Sequence, residues 1–288
     1  MNRKQNGPLG SLVIAMCIFG TVGILRRYIP LPSSLIALAR GIVGSLYLWG
    51  SMLLRKQPLQ KAAIRKNLPL LLLSGAAIGF NWIFLFEAYC YTSVATATLC
   101  YYLAPILVIL LSPLVLKERL TLRSLLCALI ALAGMIPVSG IWNSGFSGVG
   151  EYKGILFGLA AAALYASVIL MNKQIRDIPA TDKTLIQLVS ASVVLLPYVL
   201  LTEDVMNCDY TPIAMILLAV AGIVHTGMSY RMYFGAISRL KAQTTALFSY
   251  IDPILAIILS AVILQEPLGL ATVIGSIMIL GAAYFSER

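Results

Sequence analysis

Residues 102–122 read YLAPILVILLSPLVLKERLTL and residues 250–270 read YIDPILAIILSAVILQEPLGL. Laid over each other at a shift of 148 positions, they agree at 11 of 21 sites, among them Tyr102 with Tyr250, Pro105 with Pro253, Ser112 with Ser260 and Glu118 with Glu266. Leucines coincide by composition alone in so apolar a chain, but a tyrosine, a proline, a serine and a glutamate in one register do not. The chain reads as an internal duplication, the mark of a membrane protein built from two copies of one unit.

Composition fixes the class. Apolar residues make up 60% of the 288 and charged residues 11%, with mean hydropathy +0.91, against about 25% charged in soluble domains. A soluble domain is excluded. Ten apolar runs fall at 8–28, 33–54, 67–89, 93–116, 121–139, 153–173, 183–201, 212–237, 242–264 and 268–285. Each is long enough to cross a ~30 Å hydrocarbon core as a helix. The first run is too long for the apolar part of a signal peptide and lacks a small-x-small cleavage site, so it is expected to stay as the first span. Cys17, Cys90, Cys100, Cys127 and Cys208 show neither paired nor metal-type spacing and read as small apolar fillers.

A net charge of +10 invites a nucleic-acid partner, but its placement points to a bilayer. With ten spans and an inner N-terminus, the inner segments hold 16 Lys/Arg and the outer loops three, Arg26, Arg27 and Lys153. This asymmetry is the positive-inside rule and predicts both termini on the cytoplasmic side of a plasma (inner) membrane.

Five spans separate the two copies, and five is odd. The second copy therefore lies upside down relative to the first, as an inverted-topology repeat about a pseudo-two-fold axis in the membrane plane. The expected units are residues 1–140 and 141–288, joined by the glycine-rich stretch from Ser139 to Gly154. The fold class is an all-α membrane protein of ten transmembrane helices in two inverted five-helix repeats.

Pro105 and Pro253 each remove a backbone donor inside a span and free the carbonyl four residues earlier, at Tyr101 and Ser249. Such a carbonyl needs a partner in hydrocarbon. Tyr102 and Tyr250 share a helix face with the prolines, and that face is expected to look inward. It serves either as a hinge capped by tyrosines or as a substrate contact. Glu118 and Glu266 follow at the two opposite membrane surfaces. They cannot form one site, and each is expected to be structural, at the positive dipole end of the helix that follows it.

The runs Phe86-Glu87-Ala88-Tyr89 with Thr92-Ser93-Val94-Ala95, Tyr102-Leu103-Ala104-Pro105 and Leu116-Lys117-Glu118-Arg119-Leu120 resemble the first half of the EamA type of the drug/metabolite transporter superfamily. Ser249-Tyr250-Ile251-Asp252-Pro253 and Leu264-Gln265-Glu266-Pro267-Leu268 resemble the second. The resemblance covers nearly the whole chain. It implies ten helices, the first five related to the last five by inversion, a central cavity lined mainly by helices one, three, four, six, eight and nine, and export of small metabolites. Phe19-Gly20 and Tyr165-Ala166 stand where the family often has an aromatic-small pair, and Arg40 where a basic residue is common.

Ionisable side chains inside spans are costly and face a bundle interior, paired or solvated. Here they are Arg40, Glu87, His225, Arg231 and Asp252. Helical rise allows Arg40 to meet Glu87 and Arg231 to meet Asp252, so two structural ion pairs are one reading. The other gives Asp252 to a proton or a polar substrate group and Arg231 to an anionic one, with Arg40 locking its helix. His225 is either a proton-coupling group or a hydrogen-bonded packing residue. Asn81 and Trp82 align at the 148 shift with Ser229 and Tyr230, as matching walls of a cavity or as packing aromatics.

The expected function is a secondary transporter, an exporter in the sense that the resemblance implies, for a small polar or amphipathic metabolite such as an amino acid. A drug or sugar-type permease and a non-transporting scaffold are the alternatives. No Walker motif, nucleophile constellation or metal spacing is present, so no enzyme activity and no cofactor are expected. The partners are the bilayer and a small-molecule substrate, with proton coupling an option, and no nucleic acid.

Overall fold

The computed structural model describes residues 3–92, 97, 100–139, 149–263 and 269–286. The described chain holds ten helical spans and no strand. They are α1 (Arg3–Gly20, resumed at Val22–Arg27), α2 (Ser33–Leu54), α3 (Lys61–Tyr91), α4 (Ala104–Leu116) and α5 (Leu122–Ser139). The second set is α6 (Val149–Gln174), α7 (Ala180–Thr202), α8 (Pro212–Val220, Ala221–Met228, Ser229–Ile237), α9 (Ala242–Phe248, Ile251–Ile263) and α10 (Leu270–Ser286). An even number of spans puts both ends of the chain on one side, called here the terminal side.

Several elements start earlier than the apolar runs. α3 opens at Lys61 and α6 at Val149, so Gly154 belongs to a helix rather than to a linker. The spans α2, α3, α6, α7 and α8 are unbroken and apolar enough to cross a bilayer alone. α1 breaks at Thr21, the fourth span is interrupted by a turn at 102–103 that follows helical residues 100 and 101, and α9 breaks at 249–250. The prolines expected to kink continuous helices instead sit in the first turn after these breaks, Pro105 in α4 and Pro253 in the second piece of α9. A first-turn amide has no partner within its helix, so proline costs little there.

Contacts repeat with the period of five helices. α3 packs on α6 and α7 as α8 packs on α1 and α2, and α4 packs on α6 as α9 packs on α1. α2 with α7, α4 with α9 and α5 with α10 pair across the middle. Adding five to each helix number maps these principal contacts onto themselves, which is a two-fold relation between the halves. Glycines repeat it in detail. A Cβ on Gly79 would stand 2.9 Å from the Ala191 carbonyl of α7, and one on Gly227, 148 residues later, 2.7 Å from the Tyr47 ring and 3.3 Å from the Gly44 carbonyl of α2.

At Gly75 a Cβ would meet the Gln187 carbonyl and Ser190 Cβ, each at 2.6 Å. Gly75→Ala is therefore expected to cost about 1–3 kcal/mol, read as a lower melting temperature in detergent. Gly50→Ala is the control, because nothing lies within 4 Å of its Cβ, and it should leave the melting temperature level or raise it.

Two cations counted toward the inner-side excess turn out to hold α8. Lys183, 2% exposed, donates to the Phe234 carbonyl at 2.8 Å and to Ser238 Oγ at 2.5 Å. Lys173 donates to the Ile237 carbonyl at 3.4 Å and to the Leu240 carbonyl. The last carbonyls of a helix lack partners within it and carry its negative dipole end, so lysines suit them.

Candidate functional site: a central cavity

A cavity of about 170 Å3 lies between α1, α2, α3, α6, α8 and α9, close to the set of helices expected. Its walls are mostly aromatic. Tyr101, just ahead of α4, stacks on Tyr165 of α6 at 5.5 Å and 21°, and Tyr165 shares a hydroxyl hydrogen bond of 2.8 Å with Tyr233 of α8. Trp82 of α3 meets Tyr230 of α8 edge to face at 6.2 Å, and Phe19 of α1 stands edge-on to Tyr230 at 5.2 Å. Trp82 and Tyr230 are equivalent at the 148 shift, so the expected matching walls touch each other across the axis.

Two charges interrupt these walls, Arg40 of α2 and Asp252 in the first turn of the second piece of α9. Arg40 Nε donates to Thr226 Oγ1 at 3.1 Å, and its guanidinium lies 6.0 Å from the centre of the Trp82 ring. Thr226 spends its one proton on the Ala221 carbonyl at 3.0 Å, five residues back, so toward Arg40 it can only accept. That five-residue step exists because α8 is π-helical over Ala221–Met228, a form often found at functional sites. The terminal nitrogens of Arg40 and the carboxylate of Asp252 have no hydrogen-bond partner among the described residues. The cavity thus offers one cation and one anion to a guest, in a frame of rings.

The two anticipated ion pairs do not form. Glu87 accepts from Tyr198 Oη at 2.6 Å and ties α3 to α7, leaving Arg40 to face the cavity rather than lock its helix to that acid. Arg231 lies on another face of α8, in a separate crevice, because the residue after Tyr230 is turned about 100° around the helix. Tyr102 and Tyr250 are also outside the cavity. Their rings meet at 6.1 Å, and Tyr250 Oη, fully buried, donates to the Tyr102 carbonyl at 2.9 Å, which satisfies a carbonyl at the α4 break one residue beyond the one anticipated.

Asn81 lines the cavity but commits its amide to the Ala161 carbonyl at 2.6 Å. His225, 5% exposed, has Nε2 2.8 Å from Thr21 Oγ1. Thr21 gives its own proton to the Ile18 carbonyl at 2.7 Å, so His225 Nε2 carries the hydrogen and Nδ1 is left bare. The histidine thereby links the break in α1 to the π turn of α8.

Glu118 caps a different helix than expected. Its oxygens accept from the Ala242 amide at 3.2 and 3.0 Å, capping α9, and Lys173 Nζ stands 3.5 Å away. The α5 start is served by Thr121, which accepts from the Ser124 amide at 3.1 Å. Glu266 lies outside the described residues.

Reading the sequence one residue at a time passed over Tyr101, Tyr233, Phe234 and Thr226. A signal existed for two of them, since Tyr230, Tyr233 and Phe234 fall at i, i+3 and i+4, one aromatic face of a helix.

A model of the EamA-like transporter family matches residues 8–140 and again 152–287. The chain is 29% identical over 278 residues to the uncharacterized transporter YxxF of Bacillus subtilis, covering 96% of this chain and 88% of that protein. It is 26% identical to the aromatic amino acid exporter YddG of Ancylobacter novellus, over 73% of this chain and 72% of that one. Protein PecM of Dickeya dadantii is 25% identical over 93% and 88%. A crystal structure superposes with a TM-score of 0.87 over 98% of both chains at 19% identity, a likeness of fold.

Proposed function

Since the chain belongs to the EamA-like transporter family, it is a multi-pass membrane transporter of a small molecule, and we propose that it exports a zwitterionic, amphipathic metabolite of the amino-acid class by alternating access. One observation carries this reading. A guanidinium and a carboxylate face a cavity otherwise walled mainly by aromatic rings, which complements a guest with a carboxylate, an ammonium and an apolar body. The exporter name borne by the Ancylobacter relative agrees with it.

Arg40 receives the carboxylate. Its ring contact and its bond to Thr226 fix it without using the terminal nitrogens. Asp252 receives the ammonium, or a proton when the guest is absent, which couples solute to a proton gradient. The inverted halves, 1–140 and 141–288, rock about the central pairs, with both termini on the cytoplasmic side of the plasma membrane. The breaks before Pro105 and Pro253 are the natural flexing points.

The test is flux of a panel of labelled amino acids, their amides and their decarboxylated amines in proteoliposomes of the purified protein. Uptake of zwitterions with apolar side chains is expected, with amides and decarboxylated analogues rejected. Equal flux of the decarboxylated amines would overturn the carboxylate role of Arg40. Pro105→Ala and Pro253→Ala should each slow turnover by about tenfold with little change in KM, because a helix restart alters exchange between states more than contacts to solute. Unchanged turnover in both retires the hinge.

A further inference from the structure

The crevice that holds Arg231 has about 420 Å3 of space and shares no lining residue with the central cavity. It opens where α1 and α7 begin and α8 ends, on the terminal side. Gly7, Pro8 and Ser11 form one wall, and Ala180 and Thr181 a second. The third is the end of α8, with Arg231 and Gly235 at i and i+4, and Arg239 in the turn that follows it. Gly235 keeps this wall open at its middle, since a Cβ there would stand 3.2 Å from Ala180 Cβ.

Arg239 is exposed at the mouth, and Arg231 lies about 12 Å deeper along the helix, inside the span and half-buried. Neither guanidinium has a hydrogen-bond or ion-pair partner among the described residues, and no carboxylate lines the crevice. Ser11 gives its proton to the Gly7 carbonyl at 3.0 Å, while the Thr181 hydroxyl stays available. Arg40, the other intramembrane arginine, shares its cavity with Asp252. Arg231 has no such counter-charge, and an uncompensated guanidinium within a span is costly.

We propose that this crevice is an oxyanion-binding site, which seats one phosphate or carboxylate group with Arg231 at its floor and Arg239 at its mouth. The group comes from an anionic phospholipid headgroup or from a soluble anion on the terminal side. Planar guanidinium forks suit either oxyanion. The site stands whether or not the central cavity carries amino acids.

Thermal unfolding of the full chain in neutral detergent tests it, because a ligand of the folded state raises the melting temperature. The probes are dioctanoyl-phosphatidylglycerol, dioctanoyl-phosphatidylcholine as its neutral counterpart, and inorganic phosphate with ionic strength held by sodium chloride. Stabilisation by phosphatidylglycerol alone assigns the headgroup, and stabilisation by inorganic phosphate as well assigns a free anion. In either case Arg231→Gln should weaken the apparent affinity at least about tenfold, while Arg231→Lys retains part of it. Arg65→Gln, exposed on α3 and outside the crevice, should match the wild type. Should Arg231→Gln fail to fold, Gly235→Val decides, since it fills the slot and leaves both arginines in place, and binding is expected to fall. No shift with any anion, or wild-type binding by Arg231→Gln and Gly235→Val, overturns the proposal.

Discussion

Asn at position 252 is expected to reduce solute flux by at least about a hundredfold, the loss of roughly 3 kcal/mol of paired charge. Asp252→Asn preserves size and shape, so the walls formed by Tyr101, Tyr165 and Tyr230 stay in place. What changes is the balance of charge. Arg40 then faces the cavity with no anion opposite it, and the ammonium of a guest finds an amide instead of a carboxylate. Two measurements separate the roles that the acid could have. If Asp252 only carries the proton, the variant loses gradient-driven flux but keeps solute-for-solute exchange. If it receives the ammonium, exchange and equilibrium binding fall together. The charge-neutral double variant Arg40→Gln with Asp252→Asn should recover stability relative to Asp252→Asn alone, since no lone cation remains. Near-normal flux by Asp252→Asn sinks both roles.

A reversible lock on the terminal side should also have a large effect. Glu118, from the first half, caps α9 of the second through the Ala242 amide and stands 3.5 Å from Lys173, which also holds the end of α8. Nearby, Ser124 Oγ donates to Gln243 Oε1 at 2.6 Å and Gln243 Nε2 to the Arg119 carbonyl at 2.9 Å, so the halves are pinned along one line. Alternating access requires this line to part. Cysteines at 118 and 242, in a background freed of the native five, should permit transport when reduced. Bridged by a short bis-methanethiosulfonate reagent, they should stop at least about nine-tenths of flux, with recovery on adding dithiothreitol. Full activity of the bridged protein would falsify the idea of a gate here and leave Glu118 as a static cap.

The spans and the two-fold relation were legible in the sequence because each rests on a count. Apolar length sets a crossing, and an odd number of crossings between copies sets inversion. The cavity was legible in part. Asp252, Arg40, Asn81, Trp82 and Tyr230 all reach it, but the ion pairs that depth along each helix allowed as one reading do not meet. Depth is one coordinate, and pairing needs azimuth as well. Glu87 lies at a workable depth for Arg40, yet it is taken by Tyr198 of α7, and Arg231 is turned away from Asp252 by a single residue step. Tyr102 and Tyr250, conspicuous as repeats, were the least reliable guides to the site. A residue repeated by two-fold symmetry can meet its own copy on the axis, and these two do.

By itself the sequence determined the membrane, the ten crossings, the doubling and the chemical set from which a site could be drawn. These follow from composition and period, which are properties of the chain read in order. Only the tertiary structure decided which polar groups stay unspent. The π turn that lets Thr226 orient Arg40, the cap that Glu118 gives to α9, and the lack of polar partners for Asp252 and Arg231 among the described residues depend on how helices rotate about their axes against one another. Close approach at glycines such as Gly75 and Gly79 sets that rotation, and a linear pattern does not encode it.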